Sequence, residues 1–122
     1  MTQLTYPSTS TNTFTYNAAN LRVRKVDSSG TQNYVTDGAS PASPVLQDSS
    51  ATYTPGISER RGGVSKYQHG DLTGNSRALS NSSQTVTDSW VFDGFGMVAN
   101  RTGTTATPFG YGGGEQYQSD AQ

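Results

Sequence analysis

Apolar and polar positions alternate along this chain in short bursts, each stopped by a cluster of Gly, Asn, Asp or Ser. Leu21, Val23 and Lys25 alternate with Arg22, Arg24 and Val26, and Asp27-Ser28-Ser29-Gly30 then turns the chain. Residues 32–36 return to a second turn at Asp37-Gly38, and 39–44 form a loop. The same reading predicts short strands at 45–48, 51–54 and 57–60, a turn at Gly62-Gly63 and a strand at 64–68. Residues 69–75 read as loop, 77–80 as strand, 81–83 as turn and 84–92 as the longest strand. Residues 97–101 and 107–111 read as the last two strands, with a turn at 102–104. Period-two alternation bounded by turn residues is the mark of half-buried strands. No window sustains a 3.6-residue apolar period, so the pattern predicts essentially no helix. The expected fold is all-β, an antiparallel meander of hairpins forming a curved open sheet over 14–111. Residues 1–13 are expected to be a flexible arm or a poor edge strand, and 112–122 a flexible Gly-rich, polar tail.

Two stretches share one pattern. Phe14-Thr15-Tyr16-Asn17-Ala18-Ala19-Asn20-Leu21 and Trp90-Val91-Phe92-Asp93-Gly94-Phe95-Gly96-Met97 both read aromatic, spacer, aromatic, Asn/Asp, two residues, Asn/Gly, apolar. Rings two apart emerge on one face of a strand. Asn17 or Asp93 can hydrogen-bond its own backbone and start a turn. Asn20 and Gly96 are residue types that accept a positive φ. Each copy is therefore a strand, a tight turn and a second strand, and the paired rings are expected to form a cross-strand core ladder.

Composition sharpens this reading. Only 30% of the 122 residues are hydrophobic and 14% charged, and Gly numbers 14, so the balance is mostly Ser and Thr. Twelve aromatics argue for β structure over a disordered polar chain. The net charge of −1, with no basic cluster beyond Arg22, Arg24 and Lys25 and then Arg60 and Arg61, gives no stripe for nucleic acid. Arg22 and Arg24 are expected on a solvated face. Cysteine is absent, which removes disulfides and thiolate metal sites. The first residues carry no secretory signal pattern, and no apolar run approaches a membrane span.

The repeated stretches resemble the tyrosine–aspartate (YD) repeat of bacterial Rhs proteins, with the pair drifted to Tyr16-Asn17 and Phe92-Asp93. Tyr34 to Gly38 resembles a further degenerate copy. Lys66 to Leu79, containing His69, Asp71 and Gly74, resembles the segment that precedes the last repeat of the Rhs-associated core. Trp90 to Gly96 resembles that last repeat, and Pro108-Phe109-Gly110-Tyr111 the segment after it. The resemblance implies a strand spiral that walls a hollow shell around a toxin, in a secreted or cell-surface protein. It implies as partners the remainder of such a shell or the enclosed toxin. No residue here matches the self-cleaving or toxin segments, so those roles are not carried over.

Catalytic patterns are weak. His69 and Asp71 form the single histidine–carboxylate pair, in a Gly-flanked loop, without the further ligands a metal needs. The expected role of Asp71 is to cap its loop, and His69 is expected to pack on Tyr67 or the partner strand. Neither a Gly-x-Ser-x-Gly elbow nor a phosphate loop is present. Glu59 beside Arg60 and Arg61 reads as surface pairing. The chain is thus read as a non-enzymatic structural segment without cofactor or metal, able to self-associate through exposed strand edges. The alternative is a stand-alone module presenting its rings to carbohydrate. A third expectation, rated below these, is a partner that adds strands to a cognate shell.

Overall fold

The computed structural model describes residues 1–7, 10–40, 42–115 and 118. Two compact units divide them, Met1–Thr52 and Tyr53–Ser119. The fold is all-β and antiparallel, with open sheets of four and eight strands and, among the described residues, one 3₁₀ turn at Gly113–Glu115.

In the first unit, β1 (Thr2–Thr5), β2 (Thr11–Tyr16), β3 (Arg22–Asp27) and β4 (Gly30–Asn33) follow one another in sequence order. β1 pairs with β2 from Thr2↔Phe14 to Thr5↔Thr11, although all four of its side chains are exposed. The first thirteen residues therefore include a poor edge strand rather than only an arm. Between β3 and β4 the chain needs just two residues to turn. Asp27 Oδ1 accepts the Ser29 N–H at 2.8 Å, and Gly30 takes a φ of 114°.

Leu21 is buried, as the alternation requires. Lys25 is buried beside it in sequence order and ion-pairs with Asp27 at 2.8 Å. Arg22 departs from the expected solvated face. It is half-buried, its guanidinium 4.9 Å from the Tyr34 ring centroid and 5.9 Å from that of Phe14. Stacking on rings keeps an arginine at an apolar surface without full desolvation.

The return strand expected over 32–36 is broken at Tyr34 into β4 and β5 (Val35–Thr36), which belong to different sheets. After Tyr34 the chain enters a longer loop, which the Asp37 N–H closes by donating to the Pro44 carbonyl at 2.9 Å. From β5 the eight-stranded sheet runs in sequence order through β6 (Val45–Gln47), β7 (Ala51–Thr54) and β8 (Ser58–Arg61) to β9 (Val64–Gly70). It ends with β10 (Ser76–Ser80), β11 (Val86–Phe92) and the edge strand β12 (Val98–Thr102).

In the second unit one face of β8–β11 is covered by the segment after β12. Residues 107–111 do not form the expected strand; Phe109 makes an isolated antiparallel bridge to Gln118. The segment starts on Asp88, where Thr105 binds, and reaches Ser76, whose N–H donates to Gly110 at 2.9 Å. Phe109, fully buried, meets Tyr53 edge-on at 5.0 Å between centroids, and Leu79 and Trp90 are buried on the same unit's strands. Residues 112–115, expected in a free tail, are tied down. Gly112 N–H donates to Asn75 Oδ1 at 2.8 Å and Gly114 N–H to the Gly74 carbonyl at 2.8 Å. The rest of the expected tail, 116, 117 and 119–122, lies outside the described residues.

Glu59 corrects the surface reading of its neighbourhood. It is buried on β8, with Arg61 Nε at 3.6 Å, and Arg61 donates to the Tyr53 hydroxyl at 3.0 Å. Register explains the placement: Glu59 sits opposite Lys66 on the sheet face that the last segment covers, while Arg60 points away and is exposed. A buried carboxylate costs desolvation that its ion pair only offsets.

Candidate functional site

The repeat is a hydrogen-bonded turn, and four of them occur among the described residues. At Asn17, Asp71, Asn81 and Asp93 the side-chain Oδ1 accepts the N–H groups two and four residues ahead. Those donors are Ala19 and Leu21, Thr73 and Asn75, Ser83 and Thr85, and Phe95 and Met97, all at 2.8–3.0 Å. The backbone repeats too: each anchor N–H donates to the carbonyl four ahead, and its own carbonyl accepts from the residue three ahead. That third residue must take a positive φ, and it does: 61° at Asn20, 79° at Gly74, 63° at Gln84 and 84° at Gly96. Asn and Gly suit this conformation; Gln84 adopts it against its preference.

Two copies, at 17–21 and 93–97, are the repeated stretches of the sequence. The other two were expected as a capped loop at Asp71 and a turn at 81–83, but not as copies of the repeat. Asp71-Leu72-Thr73-Gly74 and Asn81-Ser82-Ser83-Gln84 keep the anchor and the fourth position but lack the preceding ring pair, which drew attention to the first two. An Asx residue followed at the third position by Gly, Asn or another polar residue was the available signal.

The ring ladder is not what the rings form. Trp90 is buried and Phe92 half-buried, but Phe14 is half-buried and Tyr16 is 43% exposed. Register shifts between Thr15 and Tyr16 and between Val91 and Phe92 interrupt the alternation beside each turn. The rings instead meet cations and the last segment. Arg101 lies 5.2 Å from the Trp90 centroid, Arg77 5.9 Å from that of Phe92, and Tyr111 meets Phe92 edge-on at 5.7 Å.

His69 and Asp71 have separate partners. His69 Nε2 is 2.8 Å from Ser80 Oγ on β10, on the partner strand as expected. Asp71 caps its loop as expected, and adds Arg77 at 3.0 Å. The Asn75 N–H, then the Asn75 amide and Thr73, hold its carboxyl well below the usual carboxylate range. Both Asp71 oxygens are thus engaged in holding the turn, and none is aimed at the imidazole.

A second heavily bonded carboxylate, after Asp71, is one the sequence reading did not single out. Asp88, buried on β11, accepts from Thr105 N–H at 2.8 Å, from Thr105 Oγ1 and Thr87 Oγ1 at 2.7 Å each, and from Lys66 Nζ at 3.3 Å. Burial pushes its carboxyl up, but the Thr105, Thr87 and Lys66 bonds outweigh this and bring it down to about 2. Gly103 is required beside it. A Cβ there would lie 2.3 Å from Asp88 Oδ1 and 2.4 Å from the Thr87 carbonyl, at a φ of +77°. The cluster locks the last segment onto the sheet.

A half-open groove of about 250 Å³ lies against Trp90, Phe92, Arg101, Phe109 and Tyr111. That is below the size of most small-molecule sites, roughly 300–1,000 Å³. Among the described residues no three His, Cys, Asp or Glu side chains group as metal ligands, and no helix is long and apolar enough to cross a membrane. The chain matches no family model and no curated protein.

Proposed function

We propose that this chain is a structural wall segment, a run of hairpins of the YD-repeat kind that contributes sheet to a larger shell and performs no catalysis of its own. The observation that carries this reading is the four-fold recurrence of one hydrogen-bonded turn on open antiparallel sheets. Repeat architectures build stability by stacking such units on their neighbours. Their open edges fit the same reading: β12 ends the eight-stranded sheet with five exposed residues, and β1 ends the other with four. Exposed edges of this kind recruit further strands. By the same reading the chain belongs with a secreted or cell-surface toxin shell.

Sedimentation velocity across a concentration series tests it. The wild-type chain should associate as its concentration rises, and charges placed on the edges, Leu4→Lys with Asn100→Lys, should hold it monomeric with an unchanged far-UV spectrum. A wild-type chain that stays monomeric throughout would sink the wall reading. The carbohydrate alternative is supported less well, because Trp90 and Phe109 are buried and Arg101 already lies over the Trp90 ring.

A further inference from the structure

Antiparallel hairpins alternate between the two ends of a sheet, so the turns of the second unit sort themselves into two sets. The β7–β8, β9–β10 and β11–β12 turns lie at one end, and the β8–β9 and β10–β11 turns at the other. The first end carries Ile57, Leu72, Phe95 and Met97 at its turns, which are 60%, fully, 93% and 68% exposed. The other end presents Gly62-Gly63 and Ser82-Ser83 at its turns, with exposed valines, Val64 and Val86, only where β9 and β11 begin. Tyr111 joins the first set. It is half-exposed, packed on Phe92, and so close over Gly96 that a Cβ there would come within 2.8 Å of its ring.

We propose that this end of the sheet is a rim that inserts its turn tips into the surface of an uncharged lipid bilayer. Three observations select lipid over a protein surface. First, the tips belong to every second connection, so they stand about 10 Å apart as separate knobs. Fully spread, their apolar side chains offer on the order of 500 Å², against about 800 Å² per partner in a stable protein interface. A bilayer closes around separate knobs; a protein surface must be shaped to them.

Second, each of the two longer turns holds three of its own N–H groups. Asp93 takes the Phe95 and Met97 N–H groups, and Asp71 takes those of Thr73 and Asn75. Each N–H bonded within the turn lowers the cost of bringing backbone toward lipid. Third, the charges at these turns are the anchors Asp71 and Asp93, and Arg77 is already paired with Asp71 at 3.0 Å. Anionic headgroups would be repelled by these carboxylates, whereas zwitterionic ones, with no net charge, would not. Tyr111 then stands where amphipathic rings favour the water–lipid boundary.

Flotation of the full chain with phosphatidylcholine vesicles decides the matter. The wild type should float, binding should survive raised salt, and replacing a third of the lipid with phosphatidylglycerol should not strengthen it. Leu72→Ser with Phe95→Ser should weaken binding by about tenfold or more, the loss of roughly 1.4 kcal/mol or more, with an unchanged melting curve because both side chains are exposed. The edge variants Leu4→Lys and Asn100→Lys should still float, which separates this rim from the wall reading. No flotation of the wild type, or equal flotation of the serine variant, would overturn the proposal. So would a wild-type dimer that the serine variant abolishes, which would make a second copy the occupant.

Discussion

Replacing Asp88 by asparagine should destabilise the second unit by about 3 kcal/mol near neutral pH. Asparagine keeps the shape and can still accept the Thr105 N–H, and the hydroxyls of Thr87 and Thr105 can turn to suit its amide. Lys66 cannot. Its ammonium, only 17% exposed, lies 3.3 Å from the carboxylate and would face a neutral group. Removing one partner of a buried pair costs about 3–5 kcal/mol, and the bond Lys66 keeps to Thr87 Oγ1 places the loss at the lower end. Urea unfolding followed by fluorescence measures it, because Trp90 is the single tryptophan and is buried. Acid supplies a second reading. The carboxyl is held down at about 2 from an ordinary 3.8, so its contribution is present above the unfolded value and is lost as the pH falls through the folded one. That shift is worth at most about 2 kcal/mol, so the gap between wild type and variant should narrow to about 1 kcal/mol near pH 2. Asp71, also depressed, is present in both chains and cancels. A neutral-pH cost below about 1 kcal/mol, or a gap that does not narrow in acid, would refute the locking role of this cluster.

Other substitutions probe the turns and the core. Gln84→Gly should raise stability by about 0.5 kcal/mol, since relief of a left-handed residue exceeds the added chain entropy; an unfolding curve shifted the other way would count against the shared turn geometry. Gly96→Asn suits the φ of 84° yet drives a Cβ into the Tyr111 ring, so it should cost about 1–3 kcal/mol by urea titration. A neutral result there would mean that Tyr111 does not pack on the turn. Phe109→Ala should cost about 3–5 kcal/mol and dull the near-UV signal of Tyr53, its edge-on partner. A loss below about 1 kcal/mol would remove the last segment from the core.

Strands were legible wherever alternation met a Gly or Asx stop, as over 64–68 and 86–92, although β9 runs on through His69 and Gly70, which read as loop. Turn anchoring was legible at Asn17 and Asp93 because rings flagged those copies, and only in part at Asp71 and Asn81, which have no ring pair. What local pattern could not show was the segment after β12. Residues 107–111 alternate like a strand, but Phe109 is set by Tyr53 far back in the chain and by Asp88 holding Thr105. The burial of Glu59 and the stacking of Arg22 were hidden for the same reason. Charge suggests a solvated face, and only the neighbours that cover it decide otherwise.

Hairpins β8 to β12 join residues close in sequence, whereas Tyr53 and Phe109 must find each other across most of the unit. Local closures precede distant ones because the longer loop costs more entropy. The hairpins should therefore assemble with one face still wet, and the segment from Thr105 to Gly110 should dock afterwards and dry it. In reverse, partial unfolding should begin there, so the amides of Thr105 and Gly112 should exchange with solvent before those of β10. This order makes the lock on Asp88 a control on how long the sheet's apolar face is open to whatever else could cover it.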